Sequence, residues 1–149
     1  MENMKLNHAE KGQSLVELAL TLLIILTLLA GAVDLGMAFF SYVSLRDAAQ
    51  EGALYGSINP TDTDGIRDRV KWSSNTPIDF SAFSDEDIPV QIVGSDCEGL
   101  TDGEPNGVKV TVTYDYILTM PFIGPILGTN KITLTASVTD TILTPACPE

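Results

Sequence analysis

Two acidic side chains stand at the ends of a long apolar stretch near the start of this 149-residue chain. Glu17 directly precedes, and Asp34 directly follows, a run at 18–33 that has no charged residue. A carboxylate in a bilayer costs roughly 3 kcal/mol or more unless it finds a partner. We therefore expect these two acids, together with the small residues Ala32 and Gly36, to face a partner helix and not lipid.

The spacing of the two acids also predicts where they lie on a helix. We expect Glu17 and Asp34 on one helical face, roughly 25 Å apart and near opposite boundaries of a membrane. In the alternative, each acid lies at an interface just outside the hydrocarbon and is tolerated there at little cost. Replacing Asp34 with leucine would then leave any assembly intact.

The apolar stretch is long enough to cross a membrane. As a helix, residues 15–40 extend roughly 39 Å, which is more than the roughly 30 Å of a bilayer core. Lys5 and Lys11 precede the stretch, which favours an N-terminus in the cytoplasm and a distal domain outside. We expect three segments: a leader at 1–12, the transmembrane half of a long helix at 13–42, and an extracytoplasmic α+β domain at 43–149.

A secretory signal peptide is the rival interpretation of the same stretch. Ala30-Gly31-Ala32 offers a small-residue cleavage site after an apolar core, and cleavage there would release a secreted protein that begins at Val33. However, the residues before the core carry no net positive charge, and the apolar pattern continues past Ala32. The released chain would begin with an exposed apolar segment.

The composition of the distal part disfavours several functions. The formal net charge is −12, nearly all of it after the span, so the domain repels nucleic acid phosphates. The only histidine is His8, so a Ser-His-Asp or Cys-His nucleophile cannot be built in the distal domain. Asp62-Thr63-Asp64-Gly65 resembles the opening of a calcium loop, but Pro60 and Lys71 occupy two of its ligand positions. We predict no catalysis, no cofactor and no metal.

The two cysteines, Cys97 and Cys147, both lie in the distal part. A pair suits one disulfide in an oxidising, extracytoplasmic compartment. Two unpaired thiols are the alternative.

Small residues mark one face of the helix beyond the membrane. No proline interrupts the chain before Pro60, so we expect one helix from about Ser14 to Tyr55. Ala48, Gly52 and Gly56 recur every four residues and therefore lie along one face. They allow close approach of another backbone, either the domain's own sheet or a neighbouring helix. In the alternative, Gly52 only weakens the helix and Gly56 caps it.

The rest of the domain predicts a short helix and a small sheet. The helix begins at Thr63 or Asp64, and Ile66, Val70 and Trp72 face the core. A strand is expected at 89–93. Alternating valines and threonines predict two stronger strands, at 108–118 and 132–143, which form an antiparallel hairpin. Its apolar face needs the distal part of the first helix as a cover, so the predicted fold is α+β and pilin-like.

The chain from Lys11 to Gly56 resembles the TadE-like proteins, pseudopilin components of tight-adherence (Flp/Tad) pilus systems. The last strands, which include Val110, Val112 and Tyr114, also resemble the end of that family. Two departures are Met37 and Gln50, which stand where the family usually has arginine, so contacts of those arginines are not expected. The resemblance is carried by four pieces in order: Gly12-Gln13-Ser14-Leu15-Val16-Glu17-Leu18-Ala19-Leu20, Asp34-Leu35-Gly36, Ala48-Ala49-Gln50-Glu51-Gly52-Ala53, and Tyr55.

The resemblance implies processing of the N-terminus. A prepilin peptidase would cleave after Gly12, so that Gln13 becomes the first residue and Glu17 the fifth. The free amine of an adjacent subunit would then be a cation at the depth of Glu17, and their pairing would set the axial register between subunits.

The resemblance also implies a function, that of a minor pilin or pseudopilin in the assembly of a Flp/Tad-type pilus for adhesion and surface colonisation. The expected location is the cytoplasmic (inner) membrane, with incorporation into a surface pilus. The expected partners are the membrane, other pilins and pseudopilins, the Tad inner-membrane platform and the prepilin peptidase. Two other classes stay open: a membrane-anchored binding domain whose span is only a tether, and a secreted protein released after Ala32.

Overall fold

A computed structural model of the protein describes residues 8–94, 106–120 and 128–143, with side chains from residue 12 onward. Its elements are helix α1 (His8–Ile58), helix α2 (Thr63–Trp72), a short 3-10 helix (Phe80–Ala82), and strands β1 (Val90–Val93), β2 (Gly107–Ile117) and β3 (Lys131–Thr141). Cys97 and Cys147 lie outside the described residues, so the predicted disulfide stays a prediction.

Helix α1 is one continuous element, as the sequence predicts. Its 51 residues contain no proline and are rich in alanine and leucine, which favour helix. The helix continues through Gly52 and Gly56 because both glycines are packed against the domain. It ends at Ile58, two residues before Pro60, which cannot continue a helix.

The three strands form one antiparallel sheet in the order β1-β2-β3. The long hairpin of β2 and β3 is confirmed, and its register places Val110 opposite Val138. The short strand β1 pairs with the first part of β2, with Val90 opposite Val110. Because alternate side chains point to opposite faces, Val108, Val110 and Val112 share the face that packs on α1, and all three are fully buried.

Helix α2 lies against α1 and the sheet. The side chain of Asp62 caps it by accepting a hydrogen bond from the backbone N–H of Gly65. Ile66 and Val70 are fully buried, as predicted. Trp72 is 80% exposed, so the prediction that it faces the core is wrong. Two residues turn a helix by about 200°, so Trp72 points away from the side on which Val70 lies.

The core lies between the distal half of α1, α2 and the inner face of the sheet. Burying these apolar side chains is the main favourable term in folding such a layer of helix on sheet. The fold is therefore α+β with a pilin-like layout, a long N-terminal helix packed on a small antiparallel sheet. The fully buried apolar side chains are Leu45, Ala49, Ala53, Ile66, Val70, Phe80, Ile88, Val108, Val110, Val112 and Ile142.

Candidate functional site

The first part of α1 extends beyond the domain as an apolar helix. Every large apolar side chain from Leu15 to Leu29 is more than half exposed. The described residues contain one helix that is long and apolar enough to cross a membrane. Its stretch before the domain, residues 12–30, extends about 28 Å, close to the roughly 30 Å of a bilayer core.

Glu17 lies near the start of this exposed stretch. Its side chain is exposed, and within the described part of the chain no side chain or backbone group pairs with its carboxylate. Its backbone carbonyl accepts the hydroxyl of Thr21 at 2.9 Å, an ordinary contact one helical turn away. Gly12 and Gln13 are exposed as well, and a Cβ placed at Gly12 would meet nothing within 4 Å. Both the predicted cleavage point and the predicted pairing group are therefore open to a partner.

Asp34 lies in a different environment, because it faces the protein's own domain and is only 6% exposed. Its Oδ2 accepts the backbone N–H groups of Thr119 at 3.0 Å and of Met120 at 2.9 Å. The hydroxyl of Tyr116 donates to Oδ1 at 3.2 Å. We call these four residues the Asp34 clamp. Hydrogen bonds to a charged group are stronger than those between neutral groups, so the clamp can hold a desolvated carboxylate.

The clamp fixes the end of β2 to α1. Burial raises the pKa of the Tyr116 hydroxyl above its ordinary value of 10.0, and the hydrogen bond to Asp34 raises it further, so Tyr116 stays protonated as a donor. The sequence predicts a second helix as the partner of Asp34, whereas the structure supplies three donors from the same chain. Ala32 and Gly36 are exposed beside it, so a helix packed on those two residues stays a prediction.

The prediction that Glu17 and Asp34 share one helical face is wrong. Helix α1 is unbroken between them, and seventeen residues at about 100° each leave the two side chains about 100° apart around the axis. Their separation along the axis is still about 25 Å. Glu17 and Asp34 therefore point in different directions around the helix axis, and of the two only Asp34 is buried against the domain.

The small residues Ala48, Gly52 and Gly56 lie against the protein's own sheet and α2. A Cβ at Gly52 would come within 2.6 Å of a methyl group of Val70. A Cβ at Gly56 would come within 2.8 Å of a methyl group of Val108. The sequence leaves open whether the domain's own sheet or a neighbouring helix packs on these residues, and in the structure side chains of the sheet and of α2 lie against them.

A second polar group joins the end of α1 to α2. The hydroxyl of Tyr55 donates to Asp62 at 2.7 Å, and the guanidinium of Arg69 lies 5.1 Å from the centre of the Tyr55 ring. The hydrogen bond from Tyr55, and then the one from the backbone of Gly65, lower the pKa of Asp62 below its ordinary 3.8. This group caps α2 and ties it to α1, which is a structural role.

Sequence reasoning misses Tyr116, Thr119 and Met120 as partners of Asp34. One signal points to Tyr116, since it lies in the same alternating set as Val108 and Val112, the set that faces α1. Thr119 and Met120 contribute backbone N–H groups, which every residue except proline carries. Their side chains therefore give no sign of the contact.

Comparison with known proteins finds a match for most of helix α1 and for no other element. Residues 12–54 match the family model of the TadE-like proteins. Over this helix the chain is similar to the TadE-like proteins. The matched segment contains Glu17, Asp34 and Gly52, and it ends before α2 and the sheet. No curated protein and no solved structure matches the chain.

The TadE-like match indicates a role related to the Tad/Flp pilus system. Together with the exposed apolar helix, it also indicates anchoring in a membrane. Within the described residues, no group of His, Cys, Asp or Glu side chains has an arrangement that could hold a metal ion.

Proposed function

We propose that this protein is a minor pilin or pseudopilin that takes part in the assembly of a Flp/Tad-type pilus. Its segment 13–42 contains the membrane span, the leader 1–12 lies in the cytoplasm, and the domain 43–149 lies outside the inner membrane. The protein works by packing against other pilins and the Tad platform, and it carries out no reaction of its own.

One observation carries this proposal. Glu17 lies on an exposed apolar helix, beyond the reach of every donor in the described part of its own domain. A carboxylate in hydrocarbon costs roughly 3 kcal/mol or more when it is unpaired, so the folded monomer leaves this cost in place. The amine of Gln13 on an adjacent subunit, freed by cleavage after Gly12, is a cation that would remove the cost.

The position of the domain supports the same role. Among the described residues, the sheet and α2 pack on α1 only from about Gly31 onward. None of those residues covers the large apolar side chains from Leu15 to Leu29, which are more than half exposed and can contact other helices in the membrane. A simple tether would need no acid in this stretch. The leader-cleavage pattern and Glu17 both lie within the TadE-like segment.

The secreted alternative is disfavoured by the fold. Helix α1 runs without a break across Ala32. Release there would leave Val33 at 61%, Leu35 at 68% and Phe39 at 68% exposure on a soluble protein. An exposed apolar patch of this kind marks a protein or membrane contact.

The deciding experiment measures the mature N-terminus and the need for Glu17. Intact mass of the protein from its native host should show a start at Gln13, whereas a tether would start at Met1 and a secreted protein at Val33. Glu17→Gln should abolish pilus assembly, while the matched control Glu86→Gln, at an exposed acid of the distal domain, should leave it unchanged. Normal pili and normal partner association with Glu17→Gln would refute the proposal.

A further inference from the structure

The sheet packs on α1 so that one end of the β2–β3 hairpin, where β2 ends and β3 begins, points toward the N-terminus of the helix. Val108, at the start of β2, lies beside Gly56. Thr119 and Met120, just after β2, are hydrogen-bonded to Asp34. Strand β2 therefore runs antiparallel to α1 and ends beside the Gly31–Asp34 level of the helix.

That level coincides with the edge of the span. The exposed stretch 12–30 is about 28 Å long, so if it fills the hydrocarbon, the outer boundary lies near Gly31. A Cβ placed at Gly31 would come within 2.7 Å of the terminal methyl group of Met120. With the boundary at that position, the hairpin end would lie at the height of the lipid headgroups and of the first acyl carbons.

At this end of the hairpin, an exposed apolar side chain interrupts the polar outer face. On the outer face of the β2–β3 pair, within the described strands, the side chains are polar except for Ile117, which is 61% exposed. Its register partner is Lys131. Ile132 follows on the other face of the sheet, opposite Tyr116, and is 37% exposed. Lys131 lies 3.7 Å from Asp115, with both side chains more than half exposed, and such a pair is weak.

We propose that this hairpin end, formed by Ile117, Lys131 and Ile132, rests in the headgroup region of the outer leaflet of the membrane that α1 crosses. The two isoleucines enter the boundary of the acyl chains, as apolar side chains of interfacial proteins do. Lys131 extends its ammonium group to lipid phosphates. This proposal rests on the membrane anchoring stated above, and it adds a second contact that fixes the domain on the bilayer surface.

The Asp34 clamp positions this contact. Because Asp34 holds the residues immediately after β2, the hairpin end cannot move away from the helix without breaking three hydrogen bonds. The domain therefore meets the membrane at two places, through α1 and through the hairpin end.

Tryptophan fluorescence in the full-length protein tests the contact. In a Trp72→Phe background, Ile117→Trp carries the only tryptophan, and the protein is inserted into phosphatidylethanolamine and phosphatidylglycerol vesicles that contain lipids brominated near the headgroup. We expect about a twofold loss of emission relative to vesicles without bromine, since an interfacial side chain lies within 5–10 Å of the headgroup boundary. Val93→Trp, at the opposite end of the sheet, is the control and should show no loss. Ile132→Trp is a second position in case Ile117→Trp fails to fold.

The outcomes are distinguishable. If the protein does not float with the vesicles, membrane anchoring fails and the hairpin contact fails with it. If it floats but the 117 and 132 variants are quenched no more than the Val93 control, only the hairpin contact is refuted. A blue shift at position 117 that grows with protein concentration, without quenching by bromine, would show that a second copy covers the hairpin end and would also refute the lipid contact.

Discussion

Replacing Asp34 tests whether its carboxylate holds the chain's own domain or awaits a second subunit. Asp34→Leu removes every acceptor of the clamp and leaves the N–H groups of Thr119 and Met120 to find water. A hydrogen bond to a charged group contributes about 1.5–3 kcal/mol, and water at the edge of the domain replaces part of this. We expect local opening of the segment after β2 to become easier by about 3 kcal/mol, or more than a hundredfold.

Two milder variants separate charge from geometry. Asp34→Asn keeps one oxygen for the two N–H groups and loses the charge, so we expect the free energy of local opening to fall by about 1 kcal/mol. Tyr116→Phe removes the hydroxyl that donates at 3.2 Å and should cost a similar amount. Asp47→Asn is the matched control, because Asp47 is an exposed acid on the same helix and its replacement should change nothing.

Amide hydrogen exchange is the assay, since it reports local opening at single backbone positions. The protein is measured in detergent at several dilutions, and protection at Thr119 and Met120 is compared with protection in the buried strand at Val110. Unchanged protection at those two amides in Asp34→Leu would show that Asp34 does not hold this segment. An effect that appears only at high protein concentration would instead show that a second subunit supplies the partner of Asp34.

Two further predictions concern the close packing of α1 and the cap of α2. Gly52→Ala should destabilise the domain by about 1–3 kcal/mol, because the added Cβ meets Val70. Thermal unfolding measures this loss. The control is Gly36→Ala, whose added Cβ has no atom within 4 Å and should leave the stability of the domain unchanged. The pKa of Asp62 is lower in the folded state, chiefly because Tyr55 donates to it, so its stabilising contribution is complete above pH 3.8 and is lost as the pH falls through the lower folded value. The free energy of unfolding should therefore change less between pH 5 and pH 2 in Asp62→Asn than in the unmodified protein. An identical pH dependence in both proteins would contradict this role of Asp62.

The sequence predicts the elements of this fold better than the contacts of its acids. The unbroken α1 and the β2–β3 hairpin follow from periodicity, since helices and strands bury faces with different repeats. Trp72 is the exception, because its aromatic side chain favours the core by residue type, whereas its angle of about 200° from Val70 turns it toward solvent. Asp34 is recognisably unusual in an apolar run, but two of its three donors are backbone groups 85 and 86 residues further on, which no local pattern reveals.

The unbroken course of α1 has a mechanical consequence. The helix is continuous and has no proline between the exposed stretch and its end at Ile58. Because the domain is held to it from Asp34 onward, both halves behave as one lever. From Gly31 to Ile58 the lever is about 40 Å long. A tilt of about 10° within the bilayer would therefore displace the far end of the domain by about 7 Å, which would convert a small rearrangement among membrane helices into a large movement outside.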